Sequence, residues 1–475
     1  MREQNWIRRC ARVALVLVLC GALSAPGQLA YAGGPLYVGS PTMGTDGAFL
    51  IWNPATMPVH YRVDGGSLAR RPNGTDVYTA AQSVTRVNNM FKVWQDVPTS
   101  AISYANDGGI LSAGSFTGGD VNTVNELADV FDSCEAGTQS PVVFDADGSM
   151  TIALFGDPFV IGFAGVCKID PATGFFRSGL AVMNGIWQNQ TTDPSRNDYE
   201  LTASEFDEAI IHELGHFSGL DHSQINVEVL NGTPGSCSTN NLAGLPLMFP
   251  FAFCQARSTA GLPTLAPDDI AWISRLYPTA SFNSSYGTIS GHVFFSDGVT
   301  PVQGVNVIAR AVDNPSTAGV DESRRMAVSV VSGYLFTGQL GQSVTTNSPP
   351  SDFGSRNSQL LGSFAIPVPP GTYRVQVESV YPGFVAGSSV GPLSPPIPSP
   401  GPNEFWNSGE SATDDPTTAT DITVTAGGTV SNIDIILNGT PPRFDSFESP
   451  AAQLNPPAAP AWLRRDQLLP QEVPA

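Results

Sequence analysis

The stretch "HELGHFSGLDH", residues 212–222, carries three of the chain's five histidines in one short run. Its spacing decides how the surrounding chain must fold. His212 and His216 are four residues apart, so on a helix their rings share one face, one turn from each other. His222 follows six residues later, and an unbroken helix would carry it roughly 240° away from the other two. The third ring joins them only if the helix stops and the chain turns back. Gly219 lies between, and glycine accepts the left-handed conformation that ends helices. The helix is expected from about Ser204 to Ser218, with Thr202–Glu205 or Ser204–Asp207 as its capping box. Three imidazoles with a fourth position left open are the donor set of a catalytic zinc site; structural sites usually close that position with protein.

Glu213 strengthens this reading. Phe206, Ala209, Ile210, Leu214 and Phe217 occupy one arc of the expected helix, and Glu213 falls inside it. A carboxylate buried there without a partner would be costly. Beside a divalent cation and a water it has one. Zinc would acidify that water and polarise a carbonyl, and Glu213 would act as general base, taking the proton and passing it to a leaving amine. His60 and His292 stand alone in the sequence and read as ordinary core or surface histidines.

The rest of the chain sets the context. It has 475 residues, 13% charged and 41% hydrophobic, with 48 Gly and 40 Pro. That composition fits two or three domains rich in strands and loops. The formal charge of −20, with no basic run beyond the N-terminus, makes nucleic acid a poor partner. Arg8, Arg9 and Arg12 precede the apolar run "VALVLVLCGAL", and "AYA" ends at Ala32. A basic patch, a short apolar segment and small residues make a cleaved export signal over residues 1–32. No apolar segment reaches membrane length, so no stable membrane insertion is expected. Four cysteines remain after the signal: Cys134, Cys167, Cys237 and Cys254. In an exported chain they favour disulfides, with three pairings open. Cys134–Cys167 and Cys237–Cys254 are preferred because each closes a local loop.

From Ile51 to about Pro278 the pattern is mixed. "VHYRVD", "AISYA" and "SPVVF" read as strands. Val84, Val87, Phe91 and Trp94 fall on one helical face. "LAPDDIAWISRLYP" reads as a closing helix, with Pro267 and the acidic pair Asp268-Asp269 at its start. After Pro278 the texture changes to short alternating runs: "GTISGHVFF", "GVNVIARAV", "GTYRVQVES", "TDITVTA" and "VSNIDIIL". Those indicate an all-β sandwich. Residues 313–362 and 380–415 read as polar connections.

The histidine stretch, with Ser223 after it, resembles the metzincin zinc peptidases of the matrixin branch. "PLMFPFA" at 246–252 resembles their Met-turn, "APDDIAWISRLYP" at 266–278 their closing helix, and "WNPATMPVHYRVD" at 52–64 their first strand. The resemblance implies His212, His216 and His222 as zinc ligands, Glu213 as catalytic base and Met248 as the support beneath them. It also implies a twisted mixed sheet on two main helices, with a peptide cleft along an edge strand. Residues 223–247 separate the third histidine from the Met-turn by more than the family usually has. Ala252 stands where matrixins often have Tyr, and no cysteine lies between residues 33 and 133 to serve as a propeptide switch. Calcium suits this class, and "DADGS", with Asp145 and Asp147, is a candidate site for it. "GTISGHVFFSDGVTPVQGVNVIA" and "SFAIPVPPGTYRVQVES" resemble carboxypeptidase-regulatory-like or transthyretin-like sandwiches.

The expectation is therefore an α+β metzincin catalytic domain over residues 33–280, an all-β sandwich over 285–440 and a Pro/Ala-rich tail over 441–475. Its function would be that of a secreted, extracellular, monomeric zinc endopeptidase acting on protein or peptide substrates, with Zn2+ and a candidate Ca2+ as cofactors. The rival reading is an adhesin or binding module on a metzincin scaffold with little or no proteolysis. Five Asn-x-Ser/Thr sequons, Asn73 and Asn438 among them, carry glycans only if the host modifies such sites.

Overall fold

The computed structural model describes residues 33–191, 200–226, 229, 237–252, 254–317, 320–336, 354–355, 357–379 and 401–439. Residues 1–32, expected as an export signal, and the Pro/Ala-rich tail lie outside the described residues. The architecture is mixed α/β with several sheets, consistent with an α+β class.

The N-terminal unit runs β1 (Val59–Val63), α1 (Ala80–Gln95), β2 (Tyr104–Gly109), α2 (Val124–Glu135), β3 (Pro141–Asp145), α3 (Ser149–Phe155), β4 (Gly162–Ile169), β5 (Phe176–Asn184), α4 (Ala203–Phe217), α5 (Thr239–Ala243), α6 (Pro267–Leu276) and α7 (Phe282–Ser285). Its sheet has the order β2-β1-β3-β5-β4. Every pair is parallel except β4, which runs antiparallel to β5 at one edge. β1 buries Val59, Tyr61 and Val63 on one face, as its alternation requires. β3 is buried throughout, as expected of a central strand in a parallel stretch. α1 turns Val87, Phe91 and Trp94 inward, and the Trp94 indole donates to the Ile211 carbonyl at 2.8 Å, joining α1 to α4.

One expectation is corrected here, and the turn at "DADGS" is as its residues suggest. "AISYA" was expected to be a strand, but β2 starts only at Tyr104. Ala101 instead donates its amide to Tyr277 at the end of α6 (2.7 Å), so the chain meets the closing helix before it joins the sheet. "DADGS" is a turn, with Gly148 at φ +76° opening α3. Asp145 accepts from the amides of Met150 and Thr151 (3.2 and 2.6 Å), and Asp147 from that of Ser149 (3.0 Å). Both carboxylates are engaged by the first turn of α3, and among the described residues they join no three-residue metal-capable group.

The C-terminal unit runs β6 (Gly287–Phe294), β7 (Asn306–Ala311), α8 (Glu322–Arg325), β8 (Ala327–Val331), β9 (Ser363–Val368), β10 (Gly371–Glu378), β11 (Glu404–Phe405), β12 (Ile422–Val424), β13 (Thr429–Val430) and β14 (Ile435–Ile436). One sheet has the order β11-β10-β7-β8, with β12 also on β10. The other is built on β6, flanked by β9, β13 and β14. β6 alternates buried and half-buried along its whole length, and its inward Ile289 and Val293 share a core with Val307, Val375 and Ile435.

The segments expected as plain connections are also corrected. Residues 313–362 contain α8 and β8, and 380–415 contain β11. β8, "AVSVV", is buried at all five positions because it is covered on both sides. It pairs with β7, and it packs against α6. The Trp272 indole donates to the Ser329 carbonyl (2.7 Å), and the Ser329 amide donates to the Asp268 carboxylate (2.8 Å). One continuous core therefore runs from the first sheet through α6 into the sandwich.

Candidate metal centre

α4 begins with the Thr202–Glu205 box of the two considered. The Thr202 hydroxyl accepts from the Glu205 amide, and the Glu205 carboxylate accepts from the Thr202 amide at 2.7 Å. It ends as the histidine spacing requires. Gly219 has φ +96°, its amide donates to the His216 carbonyl, and the Leu220 amide donates to Gly215, each at 3.0 Å. This double bond pattern across a left-handed residue is the Schellman reversal. The exposed carbonyls of the last turn find partners: Trp52 Nε1 donates to Phe217 O (2.8 Å) and the Tyr277 hydroxyl to Ser218 O (2.7 Å). Gly33 and Leu36 donate their amides to the His222 and Gly219 carbonyls, strapping the reversal from outside.

The reversal brings the three rings together. Centroids lie 4.8 Å apart for His212–His216, 5.2 Å for His212–His222 and 4.5 Å for His216–His222. A ring nitrogen of each lies within 4.8 Å of one on both others. His212 Nδ1 is 2.8 Å from the Leu247 carbonyl, and His216 Nδ1 is 2.8 Å from the Leu220 carbonyl. A carbonyl only accepts, so both Nδ1 atoms carry the proton and both Nε2 atoms present a lone pair. His216 Nε2 and His222 Nε2 face each other at 3.0 Å. Burial pushes His212 down to about 4; burial, and then His212 itself, pushes His216 down to about 3. His212 and His216 are thus neutral at ordinary pH. The inward lone pairs of His212 and His216 are oriented to coordinate a cation. Two nitrogens on a tetrahedral zinc, each at about 2.0–2.1 Å from the ion, would be roughly 3.3 Å apart. The donor set fits zinc.

Glu213 lies beside the rings on α4 and is 8% exposed. Burial alone pushes its carboxyl up to about 8. It faces β4: a Cβ on Gly162 would come within 2.9 Å of Glu213 Cγ. Met248 packs below the helix, where a Cβ at Gly215 would lie 2.3 Å from its sulfur. Gly215 is therefore what lets the methionine approach. The Ser223 amide donates to the Met248 carbonyl (2.8 Å), tying the third histidine's neighbour to the same turn.

Sequence reasoning missed one residue that organises this turn. Asp269 reads locally as an acid in the first turn of α6. Its carboxylate also accepts from the amides of Leu247 (2.8 Å) and Met248 (3.0 Å), besides Ala266 (2.7 Å). Asp269 thus fixes the peptide whose carbonyl holds His212. Only a three-dimensional contact reveals it. The preferred disulfides are both formed, Cys134–Cys167 and Cys237–Cys254, with Cα atoms 5.6 and 5.4 Å apart. They are compatible with an oxidising compartment. His60 and His292 make contacts of their own, with Asp107 and with the Gln359 carbonyl. Among the described residues no helix is long and apolar enough to cross a membrane.

The site defines a class: a three-imidazole centre able to hold a divalent cation, beside a buried carboxylate, on a mixed α/β scaffold. Comparison with known proteins adds little to that. No family model and no curated protein matches the chain. Among solved structures, one similar to part of it is the dioxygenase domain of a dioxygenase–carbohydrate-binding protein fusion from Streptomyces sp. SirexAA-E. The identity is 16% and the TM-score 0.17, covering 34% of this chain and 85% of that one. A likeness at that TM-score carries no argument about fold or function.

Proposed function

We propose that the protein is an exported zinc-dependent endopeptidase of the metzincin type, with His212, His216 and His222 as ligands and Glu213 as general base. The observation that carries this reading is the reversal at Gly219, which gathers three imidazoles next to a buried carboxylate. Zinc held there would supply Lewis acidity to a water and to the scissile carbonyl. Every other part of the chemistry belongs to the chain. Glu213, raised by burial, takes a proton from the attacking water and delivers it to the leaving nitrogen. Leu247 and Leu220 hold two imidazoles in the tautomer that offers Nε2. β4, at the end of its sheet and beside α4, offers a backbone edge to which an extended peptide adds as a strand.

The test is a caseinolytic assay on purified protein, with zinc content measured on the same samples. Wild type is expected to carry one zinc and to hydrolyse casein. Glu213→Gln should keep the zinc and lose activity. Equal activity in both proteins, or none in either across a broad peptide panel, would favour the binding-module reading.

A further inference from the structure

A second group of metal-capable side chains occurs far from the histidines in sequence: Glu404, Glu410 and Asp414. One carboxylate oxygen from each lies within 4.8 Å of one from both others. Clustering of acids is common and proves nothing alone. Here the side chains also leave buried oxygens without donors. Glu404 is fully buried, and its Oε2 accepts from the Asn438 amide (2.8 Å), but its Oε1 has no partner. Asp414 Oδ1 is buried and unpartnered too. So is Oδ1 of Asn438, a neutral amide that is not one of the acids. Asn438 is held at the cluster through its Nδ2, which donates to the Asp414 carbonyl (2.7 Å).

Carboxylate and amide oxygens accept hydrogen bonds and donate none, so three orphaned acceptors at one place call for a proton or a cation. The charged neighbours acting on Glu404 are Glu410 and Asp414, both acids. Burial first, and these neighbours after it, push Glu404 up to about 7; Glu410 also rises to about 7. The framework is otherwise set. Glu410 accepts from the amides of Asn407 (2.7 Å) and Ile436 (2.8 Å), which aligns its carboxylate with β14.

We propose that Glu404, Glu410, Asp414 and the side-chain oxygen of Asn438 form a calcium site in the C-terminal sandwich. An all-oxygen set suits a hard cation, and ligands drawn from β11, its following loop and the end of the β14 segment suit the flexible coordination of calcium better than the strict octahedron of magnesium. The ion would fasten the 404–414 segment to β14, closing the sandwich at that end. This site is independent of the histidine centre and of any peptidase activity.

Calcium chloride titrated into chelator-treated full-length protein tests it, read by calorimetry and by melting temperature. Wild type is expected to bind one calcium, with Kd on the order of 10⁻⁴–10⁻³ M or tighter, and to melt higher with calcium. Glu404→Gln and Asp414→Asn should each lose the binding heat and the shift, while His212→Ala keeps both. Circular dichroism shows which variants are folded; if one fails to fold, the other carries the comparison. No response of wild type at about 10 mM calcium, well above that affinity range, overturns the proposal. So does an equal response in wild type and a folded carboxylate variant.

Discussion

The histidine centre and the carboxylate group of the sandwich are both places where acceptor atoms converge, yet they are assembled in opposite ways. The histidines come from one helix and the turn that ends it. Two of the three rings have their remote nitrogen fixed by a backbone carbonyl, so the protein chooses which lone pair points inward. The carboxylates come from a two-residue strand and loops; backbone amides fix the two glutamates from behind, and the Asn407 side-chain amide holds Asp414. Burial also acts with opposite sign. It makes His212 and His216 neutral and ready to coordinate, but it makes Glu404 and Glu410 reluctant to ionise without a counter-charge. One site thus presents neutral donors oriented by the backbone, while the other gathers acids that favour a counter-charge.

The largest effect that would sharpen this contrast is catalytic. Glu213→Gln should lower hydrolysis by about 10²–10⁴-fold, the usual share of a general base, with zinc content unchanged. A variant that lost zinc as well would mean the carboxylate supports the ligands. Next comes Asp269→Asn, which weakens the acceptor for the Leu247 and Met248 amides. Outer-shell changes of this kind cost roughly 10–100-fold in metal affinity, so zinc competition with a chromophoric chelator should show a loss in that range. Gly215→Ala forces a methyl against Met248, and overpacking typically costs about 1–3 kcal/mol; urea denaturation would measure it.

A smaller effect concerns pH. Asp268 is raised to about 8, by burial first and by Asp269 second. Unfolded Asp titrates at about 3.9, so between about pH 4 and pH 8 the folded chain holds the extra proton. The stability from this group is complete at the acid end and is lost as pH climbs through 8. Asp268→Asn should therefore flatten the difference in urea midpoint between pH 5 and pH 8. The smallest expected change is that of Glu404→Gln in calcium-free buffer, where removing one repelling charge leaves the melting temperature equal or slightly higher. A clear drop there would mean the carboxylates are already satisfied without a cation.

Much of the histidine centre was legible because its information is local. The i, i+4 pair, the glycine and the acid within the apolar arc all lie in one stretch, and helix geometry converts that spacing into contact. The same holds for α1, β1, β3 and the strands β6, β7 and β10, whose periodicity is continuous. Asp269 was not legible, since the amides it binds are some twenty positions upstream and nothing in its own helix indicates them. β8 was hidden for another reason. "AVSVV" is a brief apolar run in polar surroundings, and only the cover provided by β7 and α6 makes it a strand. The carboxylate group is the extreme case: Glu404, Glu410, Asp414 and Asn438 follow no period, so no reading of spacing brings them together.

The contact of α6 with β8 has a consequence for anyone who would handle the two halves separately. Cutting after Pro278 would strip Trp272 of its acceptor and leave Asp268 without the amide of Ser329. It would also lay bare the apolar flank on which Val328 and Val330 now rest. Ile225, just past the third histidine, would lose Ile308 and Ala327 as neighbours. The sandwich is then less an appendage than part of the same core, and a shortened chain would be expected to aggregate rather than to work alone.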